Sequence, residues 1–458
     1  MSAIIVVLWH GQYPRRNSCL HGMFNLLILL TNIFNQFIFL SMKRKSIYLA
    51  AALAALTMAS CSNDEVMNDV PANGEGSAIA FTTTLDKAPV TRANTTTGAN
   101  ISKFRVVCYN DDNTHYFGPT EVTKAQGGSG WTYQGVHNWK HKDKPLRFFA
   151  VHGTTNAYFK EPTVADPSPA GNNFPFIKDF PIHPGYFMDA NGNYVDENGQ
   201  AHTEAHPQHD LCAAFYEGKE ANGAVRLNFK HLLSKIEVQA KNGLHDANGT
   251  RKVEVMGVRL VNLTKSGTWV YNVGDAPSTQ PNQQFNGTWS HATTGGGDFC
   301  IRLHPGATPV TLNTGYQPIL PKDESFMVFP TRATIAWGST QDNGAIKTGT
   351  YLSVICRVTI KDAAGNVKVI VPNTGNADRY GMAMIPISFN LEQGKKYTFR
   401  LDFTNGSGQV DPTIPSEPDG GDIDEPDHGH GDDYEGGQIS FNVTVDDWAD
   451  AGNTDKEM

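Results

Sequence analysis

Short runs of alternating apolar and polar residues recur along the chain from residue 79 onward, and no long stretch between them carries a helical period. Alternation puts every second side chain on one face, as in a strand with one face buried. The first run is Ile79-Ala-Phe81-Thr-Thr83-Thr-Leu85, followed by Phe104–Tyr109 and Trp131–Tyr133. The segment from Leu146 to His152 is almost continuously apolar, which predicts a strand covered on both faces. Asn191-Gly192, inside Asp189–Val195, predicts a hairpin turn. A longer alternating stretch, Val225 to Val238, breaks between Phe229 and Ile236, where a helical turn would separate two strands. The second half continues with Val253–Asn262, Trp269–Asn272, Phe326–Phe329, Tyr351–Ile360, Val367–Val371 and Gly394–Phe403. Short strands divided by turn residues predict an all-β fold of sandwiches, two in tandem over residues 78–240 and 241–404.

The two ends depart from this pattern. From Asp411 to Gly437 ten residues are Asp or Glu and none is Lys or Arg. Residues 405–437 are therefore expected to form an extended, self-repelling linker. One clean strand follows within residues 438–458, Ile439-Ser-Phe441-Asn-Val443-Thr-Val445, closed by Asp447-Trp448. Its apolar spacing is that of Ile79, Phe81, Thr83 and Leu85, so either run would fit the same slot in a sheet. Chance matches of this kind are equally expected among alternating strands. At the other end, Lys43, Arg44 and Lys45 precede the apolar run Ile47–Met58, then Ala59, Ser60 and Cys61. Cations, a short apolar core and small residues in that order form an export signal over residues 42–60. The run is shorter than the roughly 20 apolar residues a membrane span needs. Cys61, at the first mature position, resembles the acylated cysteine of bacterial lipoproteins, with Met58 where leucine is usual. Residues 61–77 are expected to be a polar tether, and residues 1–41, which precede a complete signal with its own Met42, to be untranslated.

Composition narrows the chemistry. A hydrophobic content of 39%, with 10% aromatic residues, suffices for sandwich cores. The net charge of −9 gives no footprint for nucleic acid. Cys108, Cys212, Cys300 and Cys356 are widely spaced with no C-x-x-C, which argues against a zinc ribbon. Export permits disulfides, while Cys108 and Cys356 sit in apolar strand patterns suited to buried thiols. His202, His206, His209, Asp210 and Cys212 make the densest set of metal-ligand types, and His206, His209 and Asp210 are the trio suited to zinc. The histidines lie in a polar loop, however, and Asp210 to Ala213 has a strand-like pattern, so no metal and no cofactor is assigned. Asp189, Asn191 and Asn193 mimic a calcium loop, but Tyr194 stands where such a loop needs glycine. His428 and His430 lie among acids in the expected linker, and His231 has no identifiable nucleophile partner. Without a nucleophile elbow or phosphate loop no catalytic residue is assigned, and the chain is not read as an enzyme.

Several features in chain order carry a family resemblance: the Cys61 signal, the strand at Ile79–Leu85, Thr91-Arg92-Ala93, and Trp139 with Leu146-x-Phe148-Phe149-Ala150. Asp210-Leu211, Phe229-x-His231-Leu232-Leu233-Ser234-Lys235-Ile236, Gly394-Lys395-Lys396-Tyr397 and a final strand ending Asp447-Trp448 complete the series. In that order they resemble the fimbrillin family, the lipoprotein subunits of type V pili and their surface relatives in Gram-negative bacteria. The resemblance implies transthyretin-like or immunoglobulin-like β-sandwiches and a structural role at the outer membrane and in a pilus. It further implies lipidation at Cys61, a cut after Arg92 and before Ala93, and loss of the first strand with Ile79, Phe81, Thr83 and Leu85. A neighbour's terminal strand, with Ile439, Phe441, Val443, Val445 and Trp448, would then fill the groove. The implied partners are other pilin subunits, the outer membrane through lipid, and a surface glycan or protein. The alternative is a non-polymerising glycan-binding surface lipoprotein using Trp131, Trp139, Trp269 or Trp289.

Overall fold

The unbroken apolar run at Leu146–His152 is accounted for by burial from both sides: Phe148 enters one hydrophobic core and Phe149 another. The computed structural model describes residues 76–85, 101–125, 130–202, 208–273, 286–290, 296–332, 334–338, 349–413, 421–424, 429 and 431–448. The labelled strands of the first sheet are β1 (Phe81–Leu85), β2 (Lys103–Tyr109), β3 (His115–Lys124), β4 (Trp131–Tyr133), β5 (Leu146–His152), β6 (Cys212–Gly218) and β7 (Val225–His231). They form a seven-stranded sheet in the order β1-β7-β6-β5-β2-β3-β4. The sheet curls until its two edges meet. Phe81 on β1 lies 5.7 Å, ring to ring, from Tyr133 on β4. The Tyr133 hydroxyl donates to the Ile79 carbonyl at 2.7 Å. The smaller core, with Phe81, Leu85, Phe104, Phe148 and Phe229, fills the inside of this curl.

The chain leaves the first sheet at Leu232 and Leu233. No helical turn forms there, contrary to the expectation from the broken alternation. Both leucines are fully buried, and their backbone groups are taken by distant partners. Leu232 N–H donates to the Leu211 carbonyl, Trp289 Nε1 donates to the Leu232 carbonyl, and Gly394 N–H donates to that of Leu233. Three of the four backbone groups of the two leucines are thus taken by distant partners and are not available to a local helical bond.

Seven further strands carry labels: β8 (Ser234–Lys241), β9 (Arg251–Leu263), β10 (Gly297–Leu303), β11 (Tyr351–Lys361), β12 (Gly381–Pro386), β13 (Lys395–Asp402) and β14 (Ser440–Asp447). A five-stranded sheet places β8 beside β13 in parallel and β13 beside β14 antiparallel. A nine-stranded sheet is built on β12-β11-β9-β10. Strands from the first half of the chain enter both this sheet and a four-stranded one: Gly185–Met188 pairs with β10, and Phe176–Pro181 pairs with Ser266–Asn272. The larger core draws on residues from Val107 to Trp448. No α-helix occurs among the described residues, so the all-β expectation holds.

Turns and close contacts follow the residue chemistry. The hairpin at Asn191-Gly192 forms as expected, with Gly192 at φ 74° and Asp189 accepting from the backbone of Asn191 and Asn193. At Gly287 a Cβ would fall 1.9 Å from the Trp269 ring, so only glycine lets that strand lie against its neighbour. Trp139 and Trp269 are buried and offer no free face for stacking a sugar, while the half-buried Trp289 packs against Phe329 at 4.7 Å. Trp131 packs against Phe104 at 4.9 Å. Cys108, Cys212, Cys300 and Cys356 are all buried thiols outside any disulfide, and burial pushes Cys300 and Cys356 up to about 12.

Candidate functional site

The first strand is an edge strand held by its side chains. β1 runs parallel to β7, with Phe81 opposite Val225 and Leu85 opposite Phe229. Ile79, Phe81 and Leu85 are buried, Thr83 is half-buried, and Thr82 and Thr84 face solvent. Phe81 makes edge-on ring contacts with Phe104 at 5.7 Å and Phe148 at 6.1 Å, besides that with Tyr133. The residues ahead of β1 are tied to the loop after β4 through Gly76 N–H on the Trp139 carbonyl at 3.0 Å and Ile79 N–H on the His137 carbonyl at 2.9 Å. Removing β1 would strip one edge of β7 of its hydrogen bonds and open the apolar interior of the curl. Cys61, Arg92 and Ala93 lie outside the described residues.

The terminal strand has the same apolar spacing and the opposite exposure. β14 lies antiparallel to β13, with Phe441 opposite Leu401, Val443 opposite Phe399 and Val445 opposite Tyr397. Directly opposed residues share a face, so these three side chains stand on the core side of the sheet. The strand nevertheless overhangs the core: Phe441, Val443 and Val445 are 42%, 37% and 53% exposed. Its backbone pairs with β13 along its whole length, and the side chains that flank it at either end are buried. Ile439 and Trp448 are buried, and the Trp448 ring stacks on His231 at 4.2 Å. Lys395 pairs with Asp447, and Lys396 with Asp446 at 3.8 Å. A groove of about 320 Å³ runs beside the start of β14, lined by Trp337, Met384, Ile385, Pro386, Ile439 and Phe441.

The acidic stretch before β14, where described, is seated on the sandwich. Three of its carboxylates find arginines from distant parts of the chain, two of them on strands. Arg259 on β9 donates to Asp411 at 2.8 Å and to Asp298 at 2.5 Å. Arg302 on β10 donates to Asp422 at 2.6 Å, and Arg379 donates to Asp424 at 2.7 Å. The Tyr351 hydroxyl also donates to Asp411 at 2.8 Å. The burial of Arg259 works against its charge, yet Asp411 and Asp298 hold its guanidinium more firmly protonated than usual. Backbone bonds of 2.9 Å from Val410 to Asp432 and from Tyr434 to Gly408 complete the attachment, with Tyr434 buried. Composition alone suggested repulsion along this segment; the cations that relieve it are far away in sequence.

The histidine-rich stretch is sorted differently from its sequence order. His206 lies outside the described residues, His209 is exposed, and His202 stacks on Tyr194 at 4.5 Å. Asp210 instead meets Cys212 and His231, both buried. Cys212 and His231 are cross-strand partners between β6 and β7, a pairing that no local spacing announces.

The sequence matches the family described as fimbrillin-like over residues 91–416. Both β1 and β14 fall outside that span. No curated protein matches the chain. Among solved structures the chain is similar to a fimbrial protein from Bacteroides vulgatus, at 12% identity and TM-score 0.45, over 81% of this chain and 99% of that one. It is also similar to the tip fimbrial protein Mfa3 from Porphyromonas gingivalis with a C-terminal truncation, at 13% identity and TM-score 0.24, over 76% of this chain and 94% of that one. These TM-scores are too low to support more than the sequence match already does.

Proposed function

The chain belongs to the fimbrillin-like family, and on that premise we propose that it is a structural subunit of an adhesive pilus rather than an enzyme. It is made as a precursor anchored in the outer membrane by lipid on Cys61 and displayed at the cell surface. A cut after Arg92 frees β1 together with the lipid. The vacated edge of β7 and the apolar interior of the curl then accept β14 from a neighbouring subunit. Further partners are other pilin subunits and a surface glycan or protein.

One observation supports this most strongly: β1 and β14 share an apolar spacing, but β1 buries it and β14 leaves it exposed. A strand whose apolar residues are not consumed by its own sheet has them to give to another. Full burial of Phe441, Val443 and Val445 would contribute at most about 1.5–3 kcal/mol each, and roughly half that here because each is already partly covered. The exchange gives up the anchorage of Ile439 and Trp448, so it requires a groove that offers them equivalent places.

The test is the double variant Phe441→Glu with Val443→Glu in the full-length precursor. Both side chains are exposed, so the variant is expected to fold, reach the surface and be processed as the wild type is. It is expected to remain monomeric after maturation. Wild-type polymer yields from this variant would overturn the donor assignment.

A further inference from the structure

We propose that Asp210, Cys212 and His231 form a binding site for a zinc-class divalent cation. The site is built by register. Cys212 opens β6 and His231 closes β7 directly across the antiparallel ladder, while Asp210 stands two residues before Cys212. The donor atoms form a small triangle: His231 Nδ1 to Asp210 Oδ1 is 3.0 Å, His231 Nδ1 to Cys212 Sγ is 3.6 Å, and Cys212 Sγ to Asp210 Oδ1 is 3.7 Å. A tetrahedral zinc with ordinary bond lengths to sulfur, nitrogen and oxygen separates such donors by about 3.3–3.6 Å. The three atoms already outline one face of that tetrahedron, and only the Asp–His edge must open by about 0.3 Å.

The chemistry of the set agrees with its geometry. A thiolate and an imidazole favour zinc over the hard cations calcium and magnesium, and the carboxylate completes a common ligand combination. All three side chains are buried, with Asp210 and His231 at 1% and 3% exposure. The plane of the His231 ring is set by the Trp448 indole stacked upon it within 6° of parallel. Gly153, at φ 83°, lets the end of β5 close on the Asp210 carbonyl, where a Cβ would fall at 2.2 Å. A nucleophilic triad is excluded, because Cys212 and Asp210 both face Nδ1, whereas a relay needs the two different ring nitrogens. In the structure the thiol and the imidazole both lie toward Asp210 Oδ1 at hydrogen-bond distance. Cation binding would release the thiol proton and shift the imidazole proton from Nδ1 to Nε2, couple to folding of the β6–β7 ladder and reach β14 through Trp448.

This inference stands on the ligand geometry and not on the pilus reading, so either can fail without the other. The experiment uses the full mature chain, unfolded and refolded in the presence of cobalt(II), with a parallel sample in zinc. Wild type is expected to retain one equivalent of metal after dialysis and to show a thiolate-to-cobalt charge-transfer band with tetrahedral visible bands. Cys212→Ser should lose the charge-transfer band and the bound metal, while Cys356→Ser, which removes a buried thiol elsewhere, should keep both. Equal metal content in wild type and Cys212→Ser would overturn the proposal. Should Cys212→Ser fail to fold, the wild type decides alone: folded protein in cobalt without a thiolate band refutes the site.

Discussion

Phe81→Ala separates a strand that is retained from one that is lost. The ring is only 5% exposed and touches Phe104, Tyr133 and Phe148 edge-on at 5.7, 5.7 and 6.1 Å. Truncating a buried phenylalanine costs about 3–5 kcal/mol, the spread reflecting how far the site collapses. β1 is an edge strand with room to relax, so the lower end, about 3 kcal/mol, is expected. Urea slopes are about 1–3 kcal/mol per molar for small proteins and steeper for a chain of this length, so the precursor's unfolding midpoint should fall by at most about 1 M with an unchanged slope. The same substitution should leave the matured polymer untouched, because the strand carrying it has been removed. Phe229→Ala, on the β7 side of the groove, should weaken precursor and polymer alike. Urea melts followed by tryptophan fluorescence on both forms make the comparison. A polymer weakened by Phe81→Ala as much as the precursor is would show that β1 stays in place, and proteolytic strand loss would have to be abandoned.

The seated acidic stretch makes its own prediction. Arg259→Met leaves the Asp411 carboxylate, 1% exposed, without its cation and should cost about 3–5 kcal/mol in urea unfolding; a change within error would mean that water replaces the arginine freely. Glu254 titrates below the usual carboxylate range: burial opposes its charge, but hydrogen bonds from Lys252 and Arg357 outweigh that. Its contribution is therefore complete above the unfolded value of about 4.3 and lost as the pH falls through the lower folded value, so Glu254→Gln should flatten the acid limb of the stability profile; an unchanged limb would rule Glu254 out as its source. Gly287→Ala should displace its strand from Trp269 and lower the melting temperature, whereas alanine at Gly135, with no atom within 4 Å of the added Cβ, should cost only the strain of its φ of 83°.

Period-two alternation placed many of the labelled strands, because a strand with one wet face must alternate and one covered on both sides must not, but it passed over His115–Lys124, Gly297–Leu303 and Gly381–Pro386. Ile79 to Leu85, Leu146 to His152 and Tyr351 to Ile360 read directly as what they are, and so did the Asn191-Gly192 hairpin. Those are local properties, set by the residue and its immediate neighbours. What only the tertiary structure decided is which partner each pattern meets. β1 and β14 carry equivalent alternation, yet one closes a curled sheet and the other overhangs an edge, since exposure depends on what packs opposite. The break at Leu232-Leu233 suggested a helical turn, but distant carbonyl and amide partners took its backbone groups first. Asp411, Asp422 and Asp424 looked like repelling charges until β-ladder registers brought Arg259 and Arg302 to two of them and the loop before β12 brought Arg379 to the third. Asp210 and Cys212 were visible as neighbours, but His231 joined them and the exposed His209 did not, because antiparallel register, a long-range property, aligns His231 with Cys212.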